Sequence, residues 1–292
     1  MNINEFTEKA RKEIAEILGK EVRYKEMDKL NNTKLYGLMI LEPGSNVAPT
    51  IYMEQFYDMY METGNWRKTI NPIIAAYQSD SFPKCLDMEW FRDFDKVQGL
   101  IFHKLINFGA NIALLEKVPY TRYLDFAIVY CVHCENEEIG DGSILIHNSH
   151  LEMWRCTTQD LARLAEENTP RLYPLSVCTM KDVIQECIGC PLPDEDDIPA
   201  TYVMSNKARV NGAISIRYKG ILKAFSSKLN SDIVILPSSV HEVILLPLLE
   251  HEGFKEFKDM VYEVNRYQLS KEEFLSDNVY LYRRDTDSIE IV

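Results

Sequence analysis

The stretch SDIVILPSSVHEVILLP, residues 231–247, decides how the chain folds. Two apolar, β-branched runs flank Pro237-Ser238-Ser239, and the link between them is far shorter than a parallel crossover requires. The pattern therefore predicts two antiparallel strands, 232–236 and 240–246, with Pro237 to Ser239 in the reversal. His241 would then lie near the start of the second strand. Glu242 would point to the opposite face, because strand side chains alternate. A capping box Ser239-x-x-Glu242 is the other structural reading, but Pro247 would end such a helix within about two turns.

Outward from this hairpin, 200–205 and 213–218 read as strands and 219–229 as a helix. Phe254, Phe257, Val261 and Val264 recur at helical spacing over 254–268. Ser270-x-x-Glu273 has the spacing of a capping box, and VYLYRRDTDSIEIV closes the chain as a hairpin. Upstream, YLDFAIVYCV (123–132) and SILIH (143–147) read as strands separated by the acidic turn NEEIGDG. The helix opened by Thr157, with Asp160 in the capping position, should end at ENTPRLYP, where Pro170 and Pro174 forbid continuation. A short helix, 180–188, precedes the loop PLPDEDDIP.

The N-terminal third is expected to be richer in helix. Ile3, Phe6, Ala10, Ile14 and Ile17 mark an amphipathic helix stopped by Gly19. Strands at 21–27 and 34–41 follow, joined through Asn31-Asn32-Thr33, then helices at 50–62 and 66–78, the latter bent or begun by Pro72. Trp90, Phe91, Phe94, Val97, Ile101, Phe102 and Leu105 predict a long core helix over 87–106. Strands and helices intersperse without regular βαβ alternation, so the expected class is α+β with a mainly antiparallel sheet. We expect one domain over 1–292, with a helix-rich sub-region 1–115 and a sheet-rich sub-region 116–292.

Composition narrows the function classes. Hydrophobic residues make up 46% and charged residues 26% of 292, the balance of a folded globular chain. The net charge of −13, from 45 acidic and 32 basic residues, argues against nucleic acid as a partner. The N-terminus lacks a basic segment followed by an apolar one, and no apolar run reaches membrane-spanning length, so a cytoplasmic protein without a membrane partner is expected. Seven scattered cysteines point to reduced thiols.

Motifs that carry chemistry are few. Cys131-Val-His-Cys134 and Cys187-Ile-Gly-Cys190 have zinc-like spacing, but residues three apart on a strand face opposite ways, so buried structural cysteines are the expectation and no metal is assigned. His147, His150 and Glu152 straddle a strand end and a helix start, where Asn148 or Ser149 serves as an N-cap. His251-Glu252 lacks the second histidine of a zinc-protease helix. Phosphate-binding glycine loops and a GxSxG elbow are missing, so no cofactor is expected.

Five segments carry a family resemblance: GSNVAPTIYMEQFY (44–57), SILIHNSHLEMW (143–154), ENTPRLYP (167–174), NGAISIRYKGILKAFSSKLNSDIVILPSSVHEVILLP (211–247) and LSDNVYLY (275–282). In order and spread over nearly the whole chain, they resemble a family of gut clostridia, domain of unknown function 5688. The resemblance implies a single evolutionary unit. It brings no catalytic role with it, and the two CxxC pairs do not belong to its pattern. It does draw attention to Asn168, Thr169, Arg171, Ser238, Ser239, His241 and Glu242 as a shared polar set.

Two functions stay open. The first is a binding module for a protein, peptide or small ligand, with Asn168, Thr169, Arg171, Ser238, Ser239 and His241 at the site. Tyr and Met side chains around 52–61 suit an adaptable contact surface. The second is a hydrolase or transferase with His241 as general base, Ser239 as nucleophile, and Glu242, Asn168 or Arg171 in support. Whether His241 and the Asn168–Arg171 segment line one pocket separates the two.

Overall fold

The computed structural model describes residues 1–79, 85–136, 140–190, 201–249 and 253–292. The loop PLPDEDDIP, the centre of the acidic turn after Asn136 and the pair His251-Glu252 lie outside the described residues. Contacts group the chain into two compact units, residues 1–90 with 135–142, and residues 91–134 with 143–292. The architecture is α+β, and the sheets are built from antiparallel pairs.

In the first unit the order is α1 (Ile3–Leu18), β1 (Val22–Asp28), β2 (Lys34–Ile40), β3 (Thr50–Tyr52), α2 (Glu54–Thr63) and α3 (Trp66–Ser79). The amphipathic pattern of α1 is held at both ends. Asn2 accepts from the Glu5 N–H at 2.9 Å while Glu5 reaches back to the Asn2 N–H at 3.0 Å, and Gly19 stops the helix at φ 63°. Strands β1 and β2 pair antiparallel, Val22 opposite Ile40 and Tyr24 opposite Leu38. That puts Val22, Leu38 and Ile40 on one face, where Phe6, Ala10, Ile14, Met53, Phe56, Ile70 and Ile73 close the core. Phe6 packs edge-on against Tyr57 and Trp66. The helix predicted over 50–62 begins only at Glu54, because Thr50–Tyr52 pairs with β2 first.

The second unit contains α4 (Phe94–Val97), β4 (Ile101–Asn107), α5 (Ile112–Leu115), β5 (Tyr120–Tyr123), α6 (Asn148–Trp154), α7 (Thr158–Leu172), β8 (Leu175–Thr179), α8 (Met180–Ile188), β9 (Tyr202–Asn206), α9 (Ile221–Leu229), β10 (Ile233–Pro237), β11 (Val243–Pro247), α10 (Phe254–Tyr267), β12 (Tyr280–Arg283) and β13 (Ser288–Ile291). The long hairpin β6 (Phe126–Asn136) and β7 (Gly140–Leu145) falls between β5 and α6 in the chain. One sheet runs β13-β12-β10-β11-β9-β8, and the other centres on β6 with β4 and β5 at its sides. Helix α10 lays Phe257 and Val261 onto Val234, Leu236 and Leu281.

Several expectations fail for definable reasons. The helix predicted over 87–106 is not formed; short helical turns at 89–100 lead into strand β4. Residues 101–106 are nearly all buried, and a strand covered on both faces shows a continuous apolar run that helical spacing also fits. Phe91 and Phe94 pack instead around Trp154, whose indole N–H donates to the Phe91 carbonyl at 2.8 Å.

The strand expected at 213–218 is a 3-10 helix, Gly212–Arg217, entered through Asn211 at φ 54°. The strand read as 123–132 is a hairpin: β5 ends at Tyr123, Leu124 turns the chain at φ 53°, and β6 starts at Phe126. Helix α7 ends within ENTPRLYP as expected, at Leu172, but it passes Pro170 at the cost of one backbone hydrogen bond, and the Tyr173 N–H still reaches the Thr169 carbonyl at 2.8 Å. Residues 270–273 form a turn, with no helix for the Ser270–Glu273 pair to cap.

Candidate functional site

The predicted hairpin exists. Strands β10 and β11 pair from Ile233 opposite Pro247 to Pro237 opposite Val243. The reversal is wider than expected, however, and both His241 and Glu242 lie in it, outside the second strand. Hydrogen bonding explains the width. The Ser239 N–H donates to the Glu242 carbonyl at 3.2 Å, and the His241 N–H donates to the Ser239 hydroxyl oxygen at 3.0 Å. The Val240 N–H donates to the Glu273 carbonyl at 2.9 Å, which ties the loop to the 270–273 turn. Such local side-chain bonds compete with extending the ladder.

The imidazole is positioned by this backbone. His241 Nδ1 accepts from the Asn211 N–H at 3.1 Å, so the proton of the neutral ring sits on Nε2, which faces Glu273 Oε1 at 3.8 Å. The His241 carbonyl accepts from the Ser205 hydroxyl at 2.7 Å. Gly212 lies against that carbonyl, against the Ser205 hydroxyl and against the Asn206 N–H so closely that a Cβ has no room. The tight approach explains why the 211–212 segment is Asn-Gly. Ser238 reaches Glu242 at 3.4 Å, and Ser239 is buried. Among the described residues, neither ring nitrogen of His241 meets a serine hydroxyl, the contact a serine nucleophile needs.

The ENTPRLYP set lies on helix α7 and does different work. Asn168 donates to the carbonyls of Gln98 at 2.8 Å and Ile101 at 3.0 Å, and Arg171 donates to the Gly99 carbonyl at 2.6 Å. Thr169 donates to the Ala165 carbonyl at 2.6 Å and accepts from the His103 N–H at 3.2 Å. These bonds satisfy backbone groups where the turns at 98–100 enter β4, and so fasten α7 to that strand. The two polar groups share no partner: His241 engages Asn211 and Glu273, while Asn168, Thr169 and Arg171 engage Gln98 to His103.

Cys131 is buried and Cys134 half-buried, and burial pushes both thiols up, away from thiolate. Cys187 and Cys190 are exposed at the end of α8. Among the described residues, no group of three or more His, Cys, Asp and Glu side chains is placed to hold a metal ion. His147, not Asn148 or Ser149, is the N-cap of α6; its N–H donates to His150 Nδ1 at 3.1 Å. Burial, and then His147, lower the His150 pKa. Of the Tyr- and Met-rich segment, Met53 and Phe56 are core and Tyr57 and Tyr60 pack on it, while Met59 and Met61 are exposed.

A cleft in the first unit has no counterpart among the sequence motifs. It is open, about 410 Å3 in volume, and walled by Gly19, Lys20, Leu41, Glu42, Ser45 and Val47 among others. Lys20 pairs with Glu42 and donates to the Tyr77 hydroxyl at 2.6 Å, and Tyr77 in turn donates to Glu42. The Glu42 bond, then Tyr77, raise the Lys20 pKa. The loop at its rim is fixed, because the Asn46 side chain bonds both the N–H and the carbonyl of Leu86 at 2.9 Å. Lys20, Glu42 and Tyr77 are 22 to 57 residues apart, so no spacing rule links them.

The family model described as "Family of unknown function (DUF5688)" matches residues 3–284, and the chain belongs to that family. No curated protein and no solved structure shows a match to it. Among the described residues, no helix is long and apolar enough to cross a membrane.

Proposed function

We infer that the chain is a bacterial, cytoplasmic binding module, and that its ligand is a small polar molecule seated in the cleft of the first unit. The observation that supports this reading is the cleft itself, whose volume of about 410 Å3 lies in the range of small-molecule sites. Lys20 has three donors and spends them on Glu42 and Tyr77, which leaves one for a ligand acceptor. Because Glu42 neutralises the ammonium, the site favours a polar ligand without large net charge. The loop 44–47, fixed by Asn46, keeps the rim in place before the ligand arrives.

The test is a thermal-shift screen of small polar metabolites on the full chain, repeated on Val47→Trp, which fills the cleft, and on Lys20→Met. A compound present at about a hundred times its Kd should stabilise the protein by about 2.7 kcal/mol. Both substitutions should remove that gain. If no metabolite shifts the transition, or if the shift survives Val47→Trp, the cleft is not the ligand site.

A further inference from the structure

In the second unit, the alternation of strand side chains collects hydrogen-bonding groups on one face of the β4-β6-β5 sheet. His103 lies opposite Tyr130, Thr121 opposite Ile128, and Tyr123 opposite Phe126, so His103, Tyr130, Thr121 and Tyr123 share a face. The Tyr130 and Thr121 hydroxyls satisfy each other at 2.7 Å. The 3-10 helix Gly212–Arg217 packs against β4 and carries the Arg217 guanidinium to 4.6 Å from the centroid of the Tyr123 ring.

Three groups here are incompletely partnered among the described residues, although Arg217 does hydrogen-bond the Tyr123 side chain. Arg217 is exposed and makes no ion pair among the described residues, in a chain with 45 acidic side chains. His103 is only 8% exposed, yet its ring engages no hydrogen bond among the described residues; only its backbone N–H is used, by Thr169. Ser215, in the same short helix as Arg217, has a buried hydroxyl without a hydrogen-bond partner among the described residues. Buried polar groups are normally satisfied, so groups left open beside an unpaired cation mark a place where something else binds.

We propose that Arg217, Tyr123 and His103 form an oxyanion site, which takes the phosphate or carboxylate end of a small molecule. Arg217 supplies the forked donor and the charge, held against the Tyr123 ring so that little side-chain freedom is lost on binding. His103 supplies one neutral N–H. Burial, and then the nearby Arg217, lower its pKa to about 4, so at neutral pH the ring is a donor and not a second cation. This site is independent of the cleft in the first unit.

The experiment titrates inorganic phosphate and, separately, acetate into the full chain at neutral pH and constant ionic strength, following the His103 ring resonances by NMR. A saturable shift with phosphate assigns the site to phosphoryl ligands, and one with acetate to carboxylates; either supports the proposal. Arg217→Gln should weaken the binding at least about tenfold, and Arg217→Lys, which keeps the charge but loses the fork, less. Arg217 is exposed, so both variants should fold; an unchanged transition temperature checks this. The proposal fails if neither ion gives a saturable shift, if sodium chloride alone reproduces it, or if Arg217→Gln binds as the unaltered protein does.

Discussion

The loop 238–242 and the polar groups around His103 both lie beside the same short helix, Gly212–Arg217. They differ in how completely their groups are used. In the loop, Ser239, His241 and Glu242 take up one another, Asn211, Ser205 and the 270–273 turn. On the sheet face, the Arg217 guanidinium touches Tyr123 but makes no ion pair, and the buried His103 ring makes no hydrogen bond, among the described residues. A polar motif whose bonds all close within the chain holds a shape. One whose bonds stay open is available for a ligand. The segment that looked most like chemistry in the sequence is thus largely bonded within the chain, with His241 Nε2 left 3.8 Å from Glu273 Oε1.

The contrast can be broken most forcefully at Gly212. Alanine there drives a Cβ into the His241 carbonyl and the Asn206 N–H, both backbone, as well as the Ser205 hydroxyl. Overpacking against backbone should cost about 3 kcal/mol or more in equilibrium unfolding. A loss below about 1 kcal/mol would mean the loop yields easily and is not the rigid part of the comparison.

The second test concerns His103 and acid. Its pKa of about 4 in the folded chain lies below the 6.5 of an ordinary histidine. Between those values the unfolded chain binds a proton that the folded one does not, so stability is full above about pH 6.5 and falls as the pH drops towards 4. At 1.36 kcal/mol per unit, the loss attributable to this residue is roughly 3 kcal/mol. His103→Leu should flatten that limb when unfolding is measured across the window. Parallel curves for the two proteins would place the acid sensitivity elsewhere.

The smallest effect is expected from Ser239→Ala. It removes the acceptor of the His241 N–H within a part-buried turn and should cost about 1–2 kcal/mol. It should leave anion binding at Arg217 unchanged. If it altered that binding instead of stability, the closed loop and the open face would be one site.

Much of the fold was legible in the sequence because local rules agree with it. The capped helix α1, the β1–β2 hairpin, the capping box at Thr157, helices α8 to α10, the hairpin at 233–247 and the closing hairpin all follow from periodicity, turn residues and caps. Residues 101–106 were misread because a strand buried on both faces has no alternation to distinguish it from a helix. Residues 213–217 were misread because their backbone is set by the Gly212 contact with the His241 carbonyl, a partner about thirty residues away.

Local patterns thus suffice for the class, the antiparallel reversal at Pro237 and the positions of most elements, since each depends on residues within a few places of one another. The partners of the polar residues come from packing across distant segments. That packing spent Asn168, Thr169 and Arg171 on fastening α7 to β4, and closed His241 onto Asn211 and Glu273. It also brought Lys20 to Glu42 and Tyr77, and Arg217 to Tyr123. Side-chain chemistry is a matter of which groups meet within a few ångströms, and those meetings are set by packing across long stretches of chain, where no local spacing records them.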